Sequence, residues 1–269
     1  MTQQRVAVIT GISSGIGRAT AAELAQRGFR VFGTVRVPGS ADLPGVEQVV
    51  LDVRDDELVK RGIDEIVAKA GRIDVLVNNA GSTVVGAIEE TNTAQARDLF
   101  DVNFFGAVRT TRAVLPYMRA QRSGRIVFVS SVVGFLPAPY MGFYAASKHA
   151  IEGYAESLDH EVRELGIRAI LVEPSFMKTR LDKNSVAAAQ TIRDYADTRA
   201  RVGAHLSANV ASGGDPSLVA TVVAEALTDE RPRVRYPVGK GAGMLAKLRS
   251  FLPARMFDRS FRKQFQLET

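Results

Sequence analysis

What most constrains this chain is a strict alternation of short apolar runs with segments of helical periodicity. Arg5–Thr10, Arg30–Val35, Gln48–Leu51, Val75–Val77, Arg125–Val129, Arg168–Val172 and Val234–Tyr236 read as seven strands. Helical patterns fall between them, at Gly15–Arg27, Asp55–Ala70, Ala94–Gln121, Tyr144–Leu165 and Pro216–Thr228. Strands that are apolar on both sides must be buried on both faces. With helical patterns between most of the strands, the chain is expected to form an α/β fold: a parallel sheet covered by helices on each side. The long Ala94–Gln121 pattern is interrupted near Asp101 and carries Pro116, which should bend its later part. No linker, repeat or low-complexity tract divides the 269 residues.

The segment from Ser175 to Pro216 is too long for a plain connection and reads as a lid, with a helix over its Ala-rich middle, Val186–Leu206. Domain boundaries follow: residues 1–240 as one catalytic domain with the lid at about 175–215, and 241–269 as a basic helical extension.

The chain holds no cysteine, so disulfides and thiolate metal sites are excluded. His149, His160 and His205 lack metal-ligand spacing, and no metal site is expected. No stretch approaches the length of a membrane span, and no apolar leader precedes the first strand, so a cytoplasmic location is expected. The net charge of +6 is concentrated near the chain end, where residues 231–269 carry ten Lys and Arg against Asp258 and Glu268. The basic balance therefore belongs to the tail, and no nucleic-acid partner is expected.

The first strand ends in Thr10-Gly11-Ile12-Ser13-Ser14-Gly15-Ile16-Gly17, and a helix follows. Glycines let the backbone approach a pyrophosphate, and the helix start presents free N–H groups to it. A dinucleotide cofactor is the expectation. The second strand ends Thr34-Val35-Arg36, where an NAD site usually places an acid for the ribose 2′-hydroxyl. Arginine instead suits a phosphate, so the expected cofactor is NADP(H), with Arg36 on the 2′-phosphate.

Tyr144 and Lys148 stand four residues apart in Tyr144-Ala145-Ala146-Ser147-Lys148, on one helix face. A cation beside a phenol favours phenolate and lowers its pKa, making the tyrosine usable as an acid/base. A second Tyr-x-x-x-Lys, Tyr236 and Lys240, is broken by Pro237 and Gly239 and cannot form a helical face.

Taken together, these residues resemble the short-chain dehydrogenase/reductase family, over about residues 5–240. The resemblance rests on the Thr10–Gly17 loop, Asp52, Asn78-Asn79-Ala80-Gly81, Asn103, Ser130-Ser131 and the Tyr144/Lys148 pair. It implies a single Rossmann-type doubly wound domain and a catalytic tetrad of Asn103, Ser131, Tyr144 and Lys148. In that tetrad Tyr144 exchanges a proton with the substrate oxygen and Ser131 orients that oxygen. Lys148 lowers the tyrosine pKa and binds the nicotinamide ribose, and Asn103 holds a water leading to solvent. Ser131 rather than Ser130 has the family's thirteen-residue interval to Tyr144. The expected cofactor contacts are Thr10, Gly11, Ser13, Ser14, Gly15, Ile16, Gly17, Arg36, Asp52, Val53, Asn79, Ala80, Gly81, Tyr144, Lys148, Pro174 and Thr179. Asn79 also has a structural reading, as a brace for the central sheet. Ser175 replaces the family's glycine after Pro174, which stiffens the start of the lid.

Ser131-Val132-Val133-Gly134 and the long tail are similar to the 17β-hydroxysteroid and retinol dehydrogenase branch. The implied substrate is an apolar alcohol or ketone, against a wall of Phe135, Leu136, Met141, Phe143 and Phe176. Two alternatives stand beside it: a 3-oxoacyl thioester reductase of the same family, and a non-catalytic NADP-binding sensor. Met244, Leu245, Leu248, Phe251 and Leu252 lie at helical spacing before Pro253, with further aromatics to Phe265. Packing of this tail on the body is favoured over an interfacial membrane anchor, because the stripe is short and the proline divides it. The tail should obstruct one family interface and leave a homodimer through the two long helices.

Overall fold

The computed structural model describes residues 4–179, 185–265 and 267. Residues 180–184, within the expected lid, lie outside the described residues. β1 (Val6–Ile9), β2 (Arg30–Val35), β3 (Val46–Val50), β4 (Val75–Asn78), β6 (Gly124–Val129), β7 (Ile167–Pro174) and β9 (Arg235–Val238) form one sheet in the order β3-β2-β1-β4-β6-β7-β9. Every pairing in it is parallel. The order reverses direction between β1 and β4, the switch point where such sheets open a crevice at the strands' C-terminal ends.

The two-residue alternation within β1 shows how the sheet is covered. Ala7 and Ile9 face one core with α1 (Gly15–Gln26) and α7 (Pro216–Thr228). Val6 and Val8 face the other, built with α2 (Asp56–Ala70), α4 (Gly106–Gln121) and α5 (Gly142–Val162). All four are essentially inaccessible to water. At ~25 cal/mol per Å² of buried apolar area, this double-sided burial is the main force holding the sheet. Local signals agree with it: the Asp55 carboxylate accepts from Leu58 N at 2.9 Å, Gly71 ends α2 in the left-handed region, and Pro216 opens α7 behind Asp215. Pro237 is tolerated because β9 is an edge strand.

The expected interruption of the long helix is a π-helical turn. α3 (Thr93–Phe100) and α4 are joined through Asp101–Phe105, and this extra residue per turn carries Asn103 into the interior.

The lid departs from expectation. A helix over Val186–Leu206 is incorrect: Val186–Ala187 is a short strand, β8, paired in parallel with β5 (Val84–Val85), and the helix α6 is Ala196–Ala211. Long-range hydrogen bonds override the local alanine propensity. Gln95 donates to Ala187 O and accepts from Ala189 N, both at 2.8 Å. The fully buried Glu90 carboxylate accepts from Ile192 N at 2.8 Å and pairs with Arg199.

After β9 come α8 (Ala242–Phe251) and α9 (Ala254–Gln264). Ala242, Leu245 and Phe257 pack on Val132 and Leu136, in the segment that follows Ser131.

Candidate active site

A cavity of about 750 Å³ occupies the crevice at the switch point. At one end lie the glycine loop, Arg36, Asp52 and Arg54; at the other lie residues of α6 and Phe265. Ser131, Tyr144 and Lys148 stand between.

The glycine end is built around Asn79. Its Nδ2 donates to Thr10 O at 2.9 Å and Gly11 O at 3.0 Å, while the backbone N–H groups of Asn79 and Ala80 donate to Thr10 Oγ1. The expected brace is therefore present, and it ties the loop to β4. Gly11 and Gly15 have φ of 73° and 60°, conformations glycine adopts without strain. A Cβ on Gly17 would lie 2.3 Å from Asn79 Nδ2 and 2.4 Å from Gly11 O. Ser14 caps α1 without a side-chain hydrogen bond, and no acid stands in the first turn. The loop thus presents backbone N–H groups and a positive dipole end, which suits a pyrophosphate. Gly11, Ser13, Ser14, Gly15, Ile16, Asn79, Ala80, Gly81, Val53 and Pro174 all line the cavity. Thr10 and Gly17 do not line it; they hold the loop from behind.

At the end of β2, Arg36 is exposed and makes no salt bridge among the described residues. Asp52 is held by Arg54, whose Nη2 lies 2.6 Å from its carboxylate and keeps it below the usual carboxylate pKa. Sequence reasoning missed Arg54, a second cation at this end. Its only sequence signal was the i,i+2 spacing to Asp52.

Thr179, at the far side of the loop, sits against Gly15, since a Cβ there would meet its Cγ2 at 3.3 Å. Ser175 in place of glycine is accommodated by another glycine: Ser175 N donates to Val238 O at 2.8 Å, and a Cβ on Gly239 would meet Ser175 Oγ at 2.4 Å.

The four tetrad residues come together from separate elements. Tyr144 and Lys148 lie on α5, Ser131 follows β6, and Asn103 sits in the π-turn; Tyr144, Lys148 and Asn103 are buried. Lys148 Nζ donates to Val129 O at 2.9 Å and lies 5.7 Å from the centre of the Tyr144 ring. Ser131, whose Oγ donates to Pro174 O at 3.4 Å, acts on Tyr144 in the direction that favours the phenolate. Burial acts against the expected lowering, however. Burial pushes the Tyr144 phenol up to about 12 and outweighs the effect of Ser131. Burial also pulls Lys148 down to about 8, against the field of Glu152. In each case burial disfavours the charged form, the phenolate of Tyr144 and the ammonium of Lys148.

Asn103 Nδ2 donates to Ser82 O and Ser147 Oγ, both at 3.0 Å, and Oδ1 accepts from Ser82 N at 2.8 Å. Both its side-chain N–H bonds are engaged inside the protein. Ser130 Oγ is buried with no hydrogen-bond partner, whereas Ser131 faces Tyr144.

The apolar wall differs from expectation. Met141 and Phe176 line the cavity, joined by Val84, Val186, Leu206, Val210 and Phe265. Phe135 and Leu136 instead pack with α8–α9, and Phe143 faces a separate surface depression with Phe100 and Phe105. The 3₁₀ turn at Val132–Gly134 directs the first two away. Phe265 escaped sequence reasoning because nothing local shows that a residue at the chain end folds back over the site. The second Tyr-x-x-x-Lys is confirmed as non-helical, with Tyr236 in β9 and Gly239 at φ 95°.

Residues 5–190 match the short chain dehydrogenase family model. A 3-ketodihydrosphingosine reductase of Bacteroides thetaiotaomicron is 36% identical over 97% of both chains. A short-chain dehydrogenase structure from Streptomyces avermitilis superposes with a TM-score of 0.83 at 34% identity, covering 98% of this chain and 99% of that one. One from Burkholderia phymatum, in complex with NAD, gives 0.79 at 28% identity over 97% of each chain. The cavity, the glycine loop and these similarities agree: the chain belongs to the short-chain dehydrogenase/reductase family, oxidoreductases that act between CH–OH and carbonyl groups and use a nicotinamide cofactor.

Proposed function

We propose that the protein is an NADP(H)-dependent oxidoreductase that interconverts an apolar secondary alcohol and ketone, or a primary alcohol and aldehyde. The observation that carries this reading is the placement of Ser131, Tyr144 and Lys148 in one cavity, between a phosphate-suited glycine loop and a wall of Val84, Met141, Phe176, Leu206 and Val210. The glycine loop would hold the pyrophosphate of a nicotinamide cofactor, which when bound would supply or accept the hydride.

The chain's own residues do the rest. A phenol with a pKa pushed up to about 12 is protonated at neutral pH, so Tyr144 holds the proton a reduced carbonyl needs. Ser131 O–H orients the carbonyl oxygen against it. Lys148, held by Val129 O, places its charge beside the phenolate left when the proton departs. Asn103 fixes Ser147 and Ser82, and with them the helix that presents Tyr144 and the loop opposite. Arg36, with Arg54 close by, favours the 2′-phosphate of NADP(H) over the ribose hydroxyl of NAD(H).

The relative named for a keto substrate supports the carbonyl chemistry, and the wall supports an apolar substrate. A homodimer through α3–α4 and α5 fits the 49% exposure of Phe105 at the edge of this surface. Two measurements test the reading: turnover of a panel of apolar ketones and aldehydes with each cofactor, and dissociation constants for NADPH and NADH. Arg36→Ala should weaken NADPH by at least roughly tenfold and leave NADH nearly unchanged. A clear NADH preference in the unaltered protein overturns the cofactor assignment.

A further inference from the structure

The two faces of the C-terminal helices differ in kind. The inner face is aromatic: Phe257 and Phe261 on α9 and Phe265 at its C-cap recur at i, i+4 and i+8 and pack ring to ring, with centroids 5.7 and 4.6 Å apart. Phe265 is buried, lies 5.4 Å from the His205 ring of α6 and lines the cavity beside Leu206 and Val210. The end of α9 is therefore also a wall of the proposed substrate space.

The outer face carries a feature the packing expectation does not account for. Met244, Leu248 and Phe251 recur at i, i+4 and i+7 on α8 and stand exposed at 62%, 36% and 84%; Met256, just past Pro253, is 59% exposed. These are four of the ten large hydrophobics exposed among the described residues, gathered within thirteen positions. Cations surround them. Lys240, Lys247, Arg249, Arg255, Arg259, Arg262 and Lys263 are all exposed, against Asp258 as the acid of this segment among the described residues. Lys247 falls within the stripe itself, where a long stem can lie along apolar surface with its charge at the edge. Pro253 lies between the two helices, so that Phe251 closes α8 and Met256 stands in the first turn of α9, five positions on.

An apolar stripe rimmed by cations is complementary to one environment above others: hydrocarbon lying beneath a layer of negative charge. A nucleic-acid backbone would match the cations but leave Phe251 and Met244 against phosphate. We propose that the outer face of α8–α9 is a docking surface for an anionic lipid bilayer. Met244, Leu248, Phe251 and Met256 enter the interface, and the arginines and lysines meet the headgroups. If the proposed activity on apolar carbonyl compounds holds, docking brings the helix that walls the cavity next to a reservoir of such compounds. The docking itself does not depend on that activity.

The test needs neither substrate nor cofactor, so its failure is distinct from failure of the proposed function. The chain contains no tryptophan. Phe251→Trp therefore introduces a single reporter at an exposed position, and Leu218→Trp, 50% exposed on α7, is the control. Vesicles of phosphatidylglycerol with phosphatidylcholine should co-sediment the unaltered protein and shift only the residue 251 reporter to the blue, an effect weakened by salt. Pure phosphatidylcholine should bind much less. Met244→Ser combined with Phe251→Ser should lower the vesicle partition at least tenfold, as expected for two large apolar side chains withheld from hydrocarbon. No sedimentation with anionic vesicles overturns the proposal. So does sedimentation unchanged by the double serine variant, which would indicate electrostatic adsorption alone. A blue shift that follows protein concentration without vesicles, with a matching rise in mass by light scattering, assigns the face to a second copy of this chain and also overturns it.

Discussion

Lys148→Met should make the protein more stable at pH 7 while removing its activity. Lys148 is buried, and its pKa falls from 10.5 to about 8. At 1.36 kcal/mol per pH unit, keeping the charge in the folded state at neutral pH costs roughly 3 kcal/mol. Methionine has a similar length and no charge, so it removes this cost. It also removes the hydrogen bond to Val129 O, and a buried carbonyl left unpaired costs roughly 1–3 kcal/mol. The expected net gain is up to about 2 kcal/mol, or a rise in melting temperature of up to roughly 8 °C for a chain of this size. The sign follows from linkage. Between about pH 8 and 10.5 the unfolded lysine is protonated and the folded one is not, so wild-type stability from this group rises with pH. The advantage of the methionine variant should therefore be full at pH 7 and shrink toward pH 10. Calorimetry of both proteins at the two pH values decides it. A variant that melts at or below the wild type at pH 7, or a difference that does not change with pH, refutes the argument. The outcome would mark Lys148 as a residue held at the expense of stability, as expected for a group kept for chemistry.

Tyr144→Phe should lower turnover by ~10²–10⁴ with cofactor affinity intact, and retention of more than about a tenth of the rate would exclude Tyr144 as the acid. Tyr236→Phe, which loses only the bond from Arg233 N, should leave the rate alone. Gly17→Ala places a Cβ against Asn79 Nδ2 and Gly11 O, so fluorescence titration should show NADPH binding weakened at least roughly tenfold. Glu173, buried beside Glu152 and Arg235, has its carboxyl pushed up to about 7, mainly by burial. The folded state keeps a proton that the unfolded one loses above about 4.5, so this group's contribution to stability is full below that pH and is lost as pH rises through 7. Glu173→Gln should remove that loss, and urea midpoints at pH 5 and pH 8 should show the variant gaining on the wild type at the higher pH.

Much of this protein was decided within short stretches of chain. Strand and helix periodicities repeat over windows of about ten residues, and the apolar strands left no choice but a sheet covered on both faces. The Thr10–Gly17 loop and the Tyr144/Lys148 face are equally local, because each needs only a turn or one helical turn to take shape. Even the interruption at Asp101 was legible, though not its π-helical form or its burial of Asn103. What the tertiary structure alone decided depends on distance along the chain. β8 exists because Val84–Val85, a hundred residues earlier, offers it an edge, and Glu90 holds the lid through backbone groups that no spacing connects to it. Phe135 and Leu136 left the predicted wall because the tail covers them, and Phe265 took a place in it because α9 folds back over α6. The acid–base character of Tyr144 and Lys148 was also beyond the sequence. Spacing showed that the two groups share a face, whereas the sign of their pKa shifts follows from burial, which the whole fold sets.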